Sequence, residues 1–278
     1  MQGKTVVLTG ASSGIGKQTT LELARRGAHV VMACRDPEKA RAVQHEIEAA
    51  CGGLGRLELR EVDLASFDSI RRFADQANAE IDRIDVLINN AGVFPQKASK
   101  TVDGFEMQFG VNHLGSFLLT NLLLDKLKAS APARIVHLTS MLHTRGSIDF
   151  ESFRGEKSYK ASAAYNQSKL ANLLFSNELA RRLEGTGVTS NAVHPGAIAT
   201  EITRDMPWIA RKAVGLMFKG VEDGAQGPLL LACDPQLQGV SGRYWKETSE
   251  KTPSSDALDE DLAGRLWEES CRLTGLSA

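Results

Sequence analysis

A chain of 278 residues, 42% hydrophobic and 24% charged, has an ordinary globular makeup and room for one large α/β domain or two smaller ones. A net charge of −1 removes the electrostatic case for nucleic acid or an anionic membrane as partner. The four cysteines, Cys34, Cys51, Cys233 and Cys271, show neither C-x-x-C nor zinc-like spacing, which argues for free thiols in a reducing, cytoplasmic setting. The first strand begins by Lys4, which leaves no room for a signal peptide. No apolar run approaches the roughly 20 residues that span a bilayer.

Lys4–Thr9 is a nearly continuous apolar run, the pattern of a strand covered on both faces of a parallel sheet. It leads into Thr9-Gly10-Ala11-Ser12-Ser13-Gly14-Ile15-Gly16 and then an amphipathic helix to about Arg26. Strand, glycine-rich turn and helix form the setting a dinucleotide site requires. Gly10 permits a tight turn, Gly14 lets backbone approach a pyrophosphate, and Gly16 lets helix and strand pack closely. The helix amino terminus offers unpaired N–H groups and a positive dipole end to phosphates. The plainer reading is a tight connection and nothing more.

A second strand, His29–Ala33, ends in Cys34-Arg35-Asp36. An NAD site usually carries a carboxylate at this point for the ribose 2′-hydroxyl. Here the position holds Cys34 with Arg35 next, and a guanidinium suits a 2′-phosphate by charge and by geometry. NADP(H) is therefore favoured over NAD(H). Asp36 is the rival ribose ligand, although Pro37 after it suits a helix cap.

Leu57–Val62 reads as a third strand ending at Asp63-Leu64, Ser66–Glu80 as a helix, and Asp85–Ile88 as a fourth strand ending at Asn89-Asn90-Ala91-Gly92. Asp63, at a strand's carboxyl end, is placed for an adenine contact. Alternatively Asp63 and Asn89 cap turns or helices. No repeat, linker or low-complexity tract interrupts the βα alternation. The expectation is a single-domain α/β fold, a Rossmann-type doubly wound parallel sheet with helices on both faces. Residues 1–130 would mainly bind dinucleotide, and 131–278 would carry the catalytic residues, a lid and a carboxyl-terminal helix.

Phe105–Leu127 is predicted as a long helix containing Asn112, whose plain role is a solvated or locally bonded amide. Arg134–Leu138 is a fifth strand running into Thr139-Ser140, and 141–164 reads as a longer loop. Next comes Tyr165-Asn166-Gln167-Ser168-Lys169, in which Tyr165 and Lys169 share one helical face a turn apart. A free phenol, with a pKa of about 10, is a poor acid or base at neutral pH. A nearby ammonium favours the phenolate and lowers that value, which suits alcohol–carbonyl chemistry. Alone the pair is weak, since Tyr and Lys at this spacing are common on solvated helices. Val188–Val193 is a sixth strand, followed by His194-Pro195-Gly196. Residues 197–220, with Met206, Trp208, Ile209, Leu216, Met217 and Phe218, read as a lid over an apolar pocket, a core helix or a partner-facing surface. Leu258, Leu262, Leu266 and Trp267 mark a last amphipathic helix stopped by Gly275.

Thr9-Gly10-x-x-x-Gly14-x-Gly16, Asn89-Asn90-Ala91-Gly92, Asn112, Ser140, Tyr165-x-x-x-Lys169 and Pro195-Gly196 follow one another in the order found in short-chain dehydrogenases/reductases, which the chain resembles over nearly its whole length. Ala33-Cys34-Arg35-Asp36, Ser168-Lys169-Leu170-Ala171-Asn172, Val193-His194-Pro195-Gly196 and Ser241-Gly242-Arg243-Tyr244 with Arg265-Leu266-Trp267 look like the retinol dehydrogenase branch. So does the spacing of Tyr165, 25 residues after Ser140.

The resemblance implies that Ser140 orients the substrate oxygen and that Tyr165 donates or accepts its proton. Lys169 would lower the Tyr165 pKa and hold the nicotinamide ribose. Asn112, at a break in its helix, would fix a water linking Lys169 to solvent. The implied cofactor contacts begin with Gly10, Ser12, Ser13, Gly14, Ile15 and Gly16. Arg35, Asp63, Leu64, Asn90, Ala91 and Gly92 follow, then Tyr165, Lys169, Pro195, Gly196 and Thr200. No metal is implied. Membrane-associated members of that branch carry an amino-terminal anchor, and no such segment is read here. The expectation therefore stops at a lipophilic, retinal-like or other apolar aldehyde, ketone or alcohol. Helices holding Asn112 and Tyr165 pair between subunits in similar enzymes, which makes a homodimer or homotetramer an option. Two rival functions remain: a catalytically silent NADP-binding sensor or scaffold, and a reductase of a bulky, tetrapyrrole-like conjugated substrate.

Overall fold

Strand β1 (Thr5–Thr9) is buried along its whole length, and its alternation divides the interior in two. Val6 and Leu8 point into one apolar layer and Val7 into the other. The same division runs through β2 (His29–Cys34) and β4 (Val86–Asn89), where Val30, Met32, Val86 and Ile88 face one layer and Val31 and Leu87 the other. These runs are apolar on both sides because helices cover both faces. The computed structural model describes residues 1–155, 158–197 and 220–277.

Helix α1 (Gly14–Arg25) and α2 (Pro37–Cys51) lie on the Val6–Leu8 side, and α3 (Phe67–Glu80) packs on the opposite side. Asp36 caps α2, accepting from the Lys39 backbone N–H at 3.0 Å with Pro37 at the first helical position. Ser66 does the same for α3. With β3 (Arg56–Glu61), β5 (Ala133–Leu138) and β6 (Val188–His194) the strands order as β3-β2-β1-β4-β5-β6. All of these pairings are parallel, and the chain reverses direction across the sheet between β1 and β4.

The sheet goes further than the sequence suggested. After α7 (Ala161–Arg182) and α8 (Val221–Cys233), β7 (Tyr244–Lys246) adds in parallel to β6, and β8 (Ser249–Lys251) adds antiparallel to β7. Three-residue strands carry too little periodicity to be read from sequence. Helix α9 (Glu260–Thr274), capped by Asp259 and ended at left-handed Gly275, buries Leu266 and Trp267.

The helix expected over 105–127 is not continuous. It comprises α4 (Met107–Phe109), a π-helical turn at Gly110–Gly115, α5 (Ser116–Leu122) and α6 (Leu124–Ala129). Glycines bound the π turn where space is shortest. A Cβ on Gly115 would lie 2.6 Å from the Leu64 carbonyl oxygen, and one on Gly110 would lie 2.4 Å from Thr101 Cγ2. Within the loop expected over 141–164, Met141–Arg145 forms a 3₁₀ turn.

Candidate active site

Four strands deliver residues to one edge of the sheet, each at its carboxyl end. From β1 comes the Gly10 turn, from β4 the Asn90–Gly92 segment, from β5 Ser140, and from β6 Pro195-Gly196. Crevices at such ends, beside a reversal of strand order, are where open α/β sheets take ligands.

Tyr165 and Lys169 occupy the buried face of α7, at 9% and 4% exposure. The Lys169 ammonium lies 5.6 Å from the Tyr165 ring centroid and donates to the Leu138 carbonyl at 3.2 Å. Thr139 fixes this part of α7 to the end of β5, its hydroxyl donating to the Lys169 carbonyl at 2.7 Å. Ser140 begins the 3₁₀ turn in extended conformation, and its hydroxyl oxygen accepts from the Leu142 N–H at 3.2 Å. With that acceptor role filled, the Ser140 hydrogen is free to be donated. The Ser140 hydroxyl sits beside the phenol, close enough to act on its pKa. On the other side, the Phe94 ring meets Tyr165 edge-on, with centroids 4.8 Å apart.

Charge in this enclosure is governed by the loss of water. Burial pushes the Tyr165 phenol up to about 12, and the Ser140 interaction pulls in the opposite direction. Burial likewise brings the Lys169 ammonium down to about 8. The lowered phenol pKa expected from the Tyr–Lys spacing is thus not a property of the protein groups by themselves, because desolvation outweighs what the neighbours return.

Asn112, fully buried in the π turn, clamps Val93 and α7 together. Its Oδ1 accepts from the Val93 N–H at 2.7 Å, and its Nδ2 donates to the Val93 carbonyl at 3.1 Å and to Ser168 Oγ at 3.0 Å. The Ser168 hydroxyl in turn donates to the Tyr165 carbonyl at 2.8 Å. Asn172, one helical turn beyond Ser168, donates to the Leu138 carbonyl that also holds Lys169. Neither Ser168 nor Asn172 was singled out for a role from sequence, although both stand on the Tyr165–Lys169 face. Their four-residue spacing was the available signal.

The expected cofactor set separates into groups. Gly10 and Gly14 adopt left-handed φ values of 67° and 50°. Gly16 packs so closely on the turn that a Cβ there would stand 2.1 Å from the Gly10 carbonyl oxygen. Asn90 is spent on the same turn, donating to the Thr9 carbonyl at 2.8 Å, and the Ala91 N–H donates to Thr9 Oγ1 at 3.1 Å. Ser12 interacts with the Cys34 thiol, and Arg35 is exposed at the end of β2. Asp63 accepts from the Ala65 N–H at 2.9 Å, closing a turn, and Leu64 is buried beneath the π turn. Thr200 and the lid candidates Met206, Trp208, Ile209, Leu216, Met217 and Phe218 lie outside the described residues.

These residues fit a nicotinamide dinucleotide. Helices α2, α3 and α9 are each capped by a side chain, whereas Ser13 makes no such bond to α1. The first-turn N–H groups of α1 therefore remain for an anion beside the Gly10 turn. Gly92 leaves an open step below the two amide-and-amine groups, its missing Cβ position being 3.4 Å from Asn112 Oδ1 and 3.5 Å from Lys169 Nζ. A surface cavity of about 570 Å³ lined by Gly187, Val188 and Glu260 opens at the other end of β6 and belongs to a different part of the surface.

A sequence model described as short chain dehydrogenase matches residues 4–208. The chain belongs to the short chain dehydrogenase family. Human retinol dehydrogenase 13 is 50% identical to it over 99% of this chain and 86% of that protein. Mouse retinol dehydrogenase 14 is 48% identical, covering 99% and 87%. Among solved structures, an uncharacterised protein from Mycobacterium paratuberculosis superposes with a TM-score of 0.80 at 38% identity, covering 99% of this chain and 95% of that one. A gluconate 5-dehydrogenase candidate from Beutenbergia cavernae, solved with NADP at low occupancy, gives 0.72 at 28% identity, covering 88% and 95%. As a short chain dehydrogenase the protein is an oxidoreductase interconverting carbonyl and alcohol groups with a nicotinamide cofactor. Among its described residues no helix is long and apolar enough to cross a membrane.

Proposed function

We propose that the protein is an NADP(H)-dependent reductase or dehydrogenase of lipophilic carbonyls and alcohols, with Tyr165 as its general acid and base. The observation that carries this reading is the meeting of the Tyr165 phenol, the Ser140 hydroxyl and the Lys169 ammonium in one buried enclosure beside the glycine turn. When bound, a nicotinamide supplies or takes the hydride. In reduction Tyr165 gives its proton to the carbonyl oxygen, and in oxidation it takes the hydroxyl proton. Ser140, already accepting from Leu142, donates to the same oxygen and holds it in line. Lys169, held by Leu138, stabilises the phenolate that reduction leaves behind and offers its ammonium to the nicotinamide ribose. Asn112 keeps Val93 and α7 at fixed spacing around it.

NADP(H) is supported by the exposed Arg35 at the end of β2, and by Asp36 being committed to capping α2. An apolar substrate is supported by the Phe94 ring against Tyr165 and by the names of the relatives, which are retinol dehydrogenases. A cytoplasmic setting fits the four free cysteines.

The test is consumption of NADPH with retinal and a panel of apolar aldehydes and ketones. Turnover by the wild type is expected, with a loss of about 10²–10⁴-fold in Tyr165→Phe while NADPH still binds. Wild-type rates in Tyr165→Phe would remove Tyr165 from its role. Cofactor binding without turnover on the whole panel would instead indicate a silent nucleotide-binding protein. Arg35→Ala should weaken NADPH binding and leave NADH binding little changed; equal losses in a titration of both would reject the phosphate contact.

A further inference from the structure

His143 stands three residues after Ser140 in the 3₁₀ turn, is 2% exposed, and takes no part in the chemistry described above. Its ring Nδ1 lies 2.7 Å from the Ser140 carbonyl oxygen, and its Nε2 lies 3.3 Å from the Ser254 backbone nitrogen. A carbonyl can only accept and an amide N–H can only donate, so the two partners fix the ring state. The hydrogen is on Nδ1 and the lone pair is on Nε2. The His143 backbone N–H also donates to the Ser140 carbonyl, at 3.1 Å, so one oxygen receives two bonds from one residue. The ring is held edge-on against Tyr244 of β7, with centroids 5.0 Å apart. Burial keeps this imidazole below its ordinary pKa against the opposing pull of the Ser140 carbonyl; the neighbouring imidazole, His194 at the end of β6, is itself lowered to about 4, with Lys169, Lys246 and Glu247 around it.

We propose that His143 is a positioning residue for Ser140, whose ring pins the Ser140 peptide to the carboxyl-terminal segment following β8 and so sets the aim of the Ser140 hydroxyl at Tyr165. The Ser140 carbonyl and hydroxyl belong to one short turn, the hydroxyl accepting from Leu142 while the carbonyl is held by His143. Rotation of that peptide swings the hydroxyl away from the phenol. Since Ser140 is the neighbour that lowers the Tyr165 pKa, loss of its aim raises that pKa. The segment after the β7–β8 strand pair thereby acts on the proton donor through Ser254 and His143.

The inference rests on the proposed role of Tyr165, so Tyr165→Phe is run beside it. Three variants separate the bonds. His143→Asn keeps a donor near the Nδ1 position, His143→Gln keeps an acceptor near Nε2, and His143→Phe keeps only the ring shape. With the fastest carbonyl of the panel and its alcohol, His143→Phe and His143→Gln are expected to lose about 10- to 100-fold in kcat with the KM for NADPH unchanged. The pH at which kcat/KM for the alcohol reaches half its limiting value, which reports the enzyme before substrate takes the Ser140 hydrogen, should rise in both. His143→Asn, which keeps the bond to Ser140 but not the one from Ser254, should lose less than His143→Phe and show a smaller upward pH shift. Equal losses in Asn and Phe, or an unshifted pH profile in Phe with only a lower unfolding temperature, would overturn the proposal.

Should the ring variants fail to fold, Ser254→Pro removes the amide donor at a φ of −64° that already suits proline. The same upward pH shift is expected there, and an unchanged profile overturns the link. If Tyr165→Phe is inactive while all His143 variants match the wild type, His143 alone is misassigned. If Tyr165→Phe is as active as the wild type, the reading of Tyr165 has failed first, and this inference falls with it.

Discussion

Burial moves Tyr165 and Lys169 apart in pKa, to about 12 and about 8, because water's loss disfavours the charged form of each. Such a pair is poised to hold its proton on the phenol until a charge develops nearby. The ammonium becomes useful when a phenolate forms, since in a water-poor enclosure their attraction is little screened. Lys169→Met tests this division. The methionine keeps the apolar stem, and the Leu138 carbonyl keeps its bond from Asn172, at 3.3 Å. The variant should fold and unfold nearly as the wild type does. Turnover should nonetheless fall about 10²-fold or more, as when a charge-stabilising donor is lost. Comparable losses in unfolding temperature and rate would make Lys169 a structural residue.

At the level of elements, the π turn Gly110–Gly115 exists to deliver one side chain. A regular helix over 107–122 would carry Asn112 at a different angle, and wide turns of this kind recur at functional sites. Asn112→Ala would strip both Val93 backbone groups of their partner and leave Ser168 Oγ short of a donor. We expect a destabilisation of about 2–4 kcal/mol by urea unfolding, the scale for buried polar groups left unpaired, together with lost turnover. A stability change within the noise would show that Asn112 acts on the reaction alone. Sequence reading reached Asn112 through its motif, yet not its amide contacts, because a side chain bonding across 19 residues leaves no periodic trace. β1, β2 and the glycine turn were readable for the opposite reason: apolar runs and fixed glycine spacing are local signals. Strands β7 and β8, three residues each, were not, and neither was the role of His143, whose distant partner Ser254 is 111 residues away and placed by those late strands.

For the molecule as a whole, the layer between β5, α5, α7 and α9 contains two histidines held without charge. His113 donates or accepts at Ser270 Oγ, 2.8 Å away, and His137 meets Asn89 at 3.3 Å; both rings pack on Phe175. Burial lowers each to about 3, from an ordinary 6.5, with His137 adding to the effect on His113. Because the folded pKa lies below the unfolded one, the unfolded chain binds more protons between these values. Stability from these groups is therefore complete above pH 6.5 and is lost as pH falls towards 3. Each contributes a slope of about 1.4 kcal/mol per pH unit within that window. His194, lowered to about 4, adds in the same direction, whereas Glu106, raised by burial, opposes it. Removing one histidine isolates its share, since every other group is common to both proteins. His137→Asn keeps a polar contact for Asn89 and should reduce the fall in unfolding free energy between about pH 6.5 and about 4.5 by roughly 1–3 kcal/mol, read from urea melts at each pH. An unchanged slope would mean that His137 takes up a proton in the folded protein as readily as in the unfolded chain, and that this core is wetter than its packing allows.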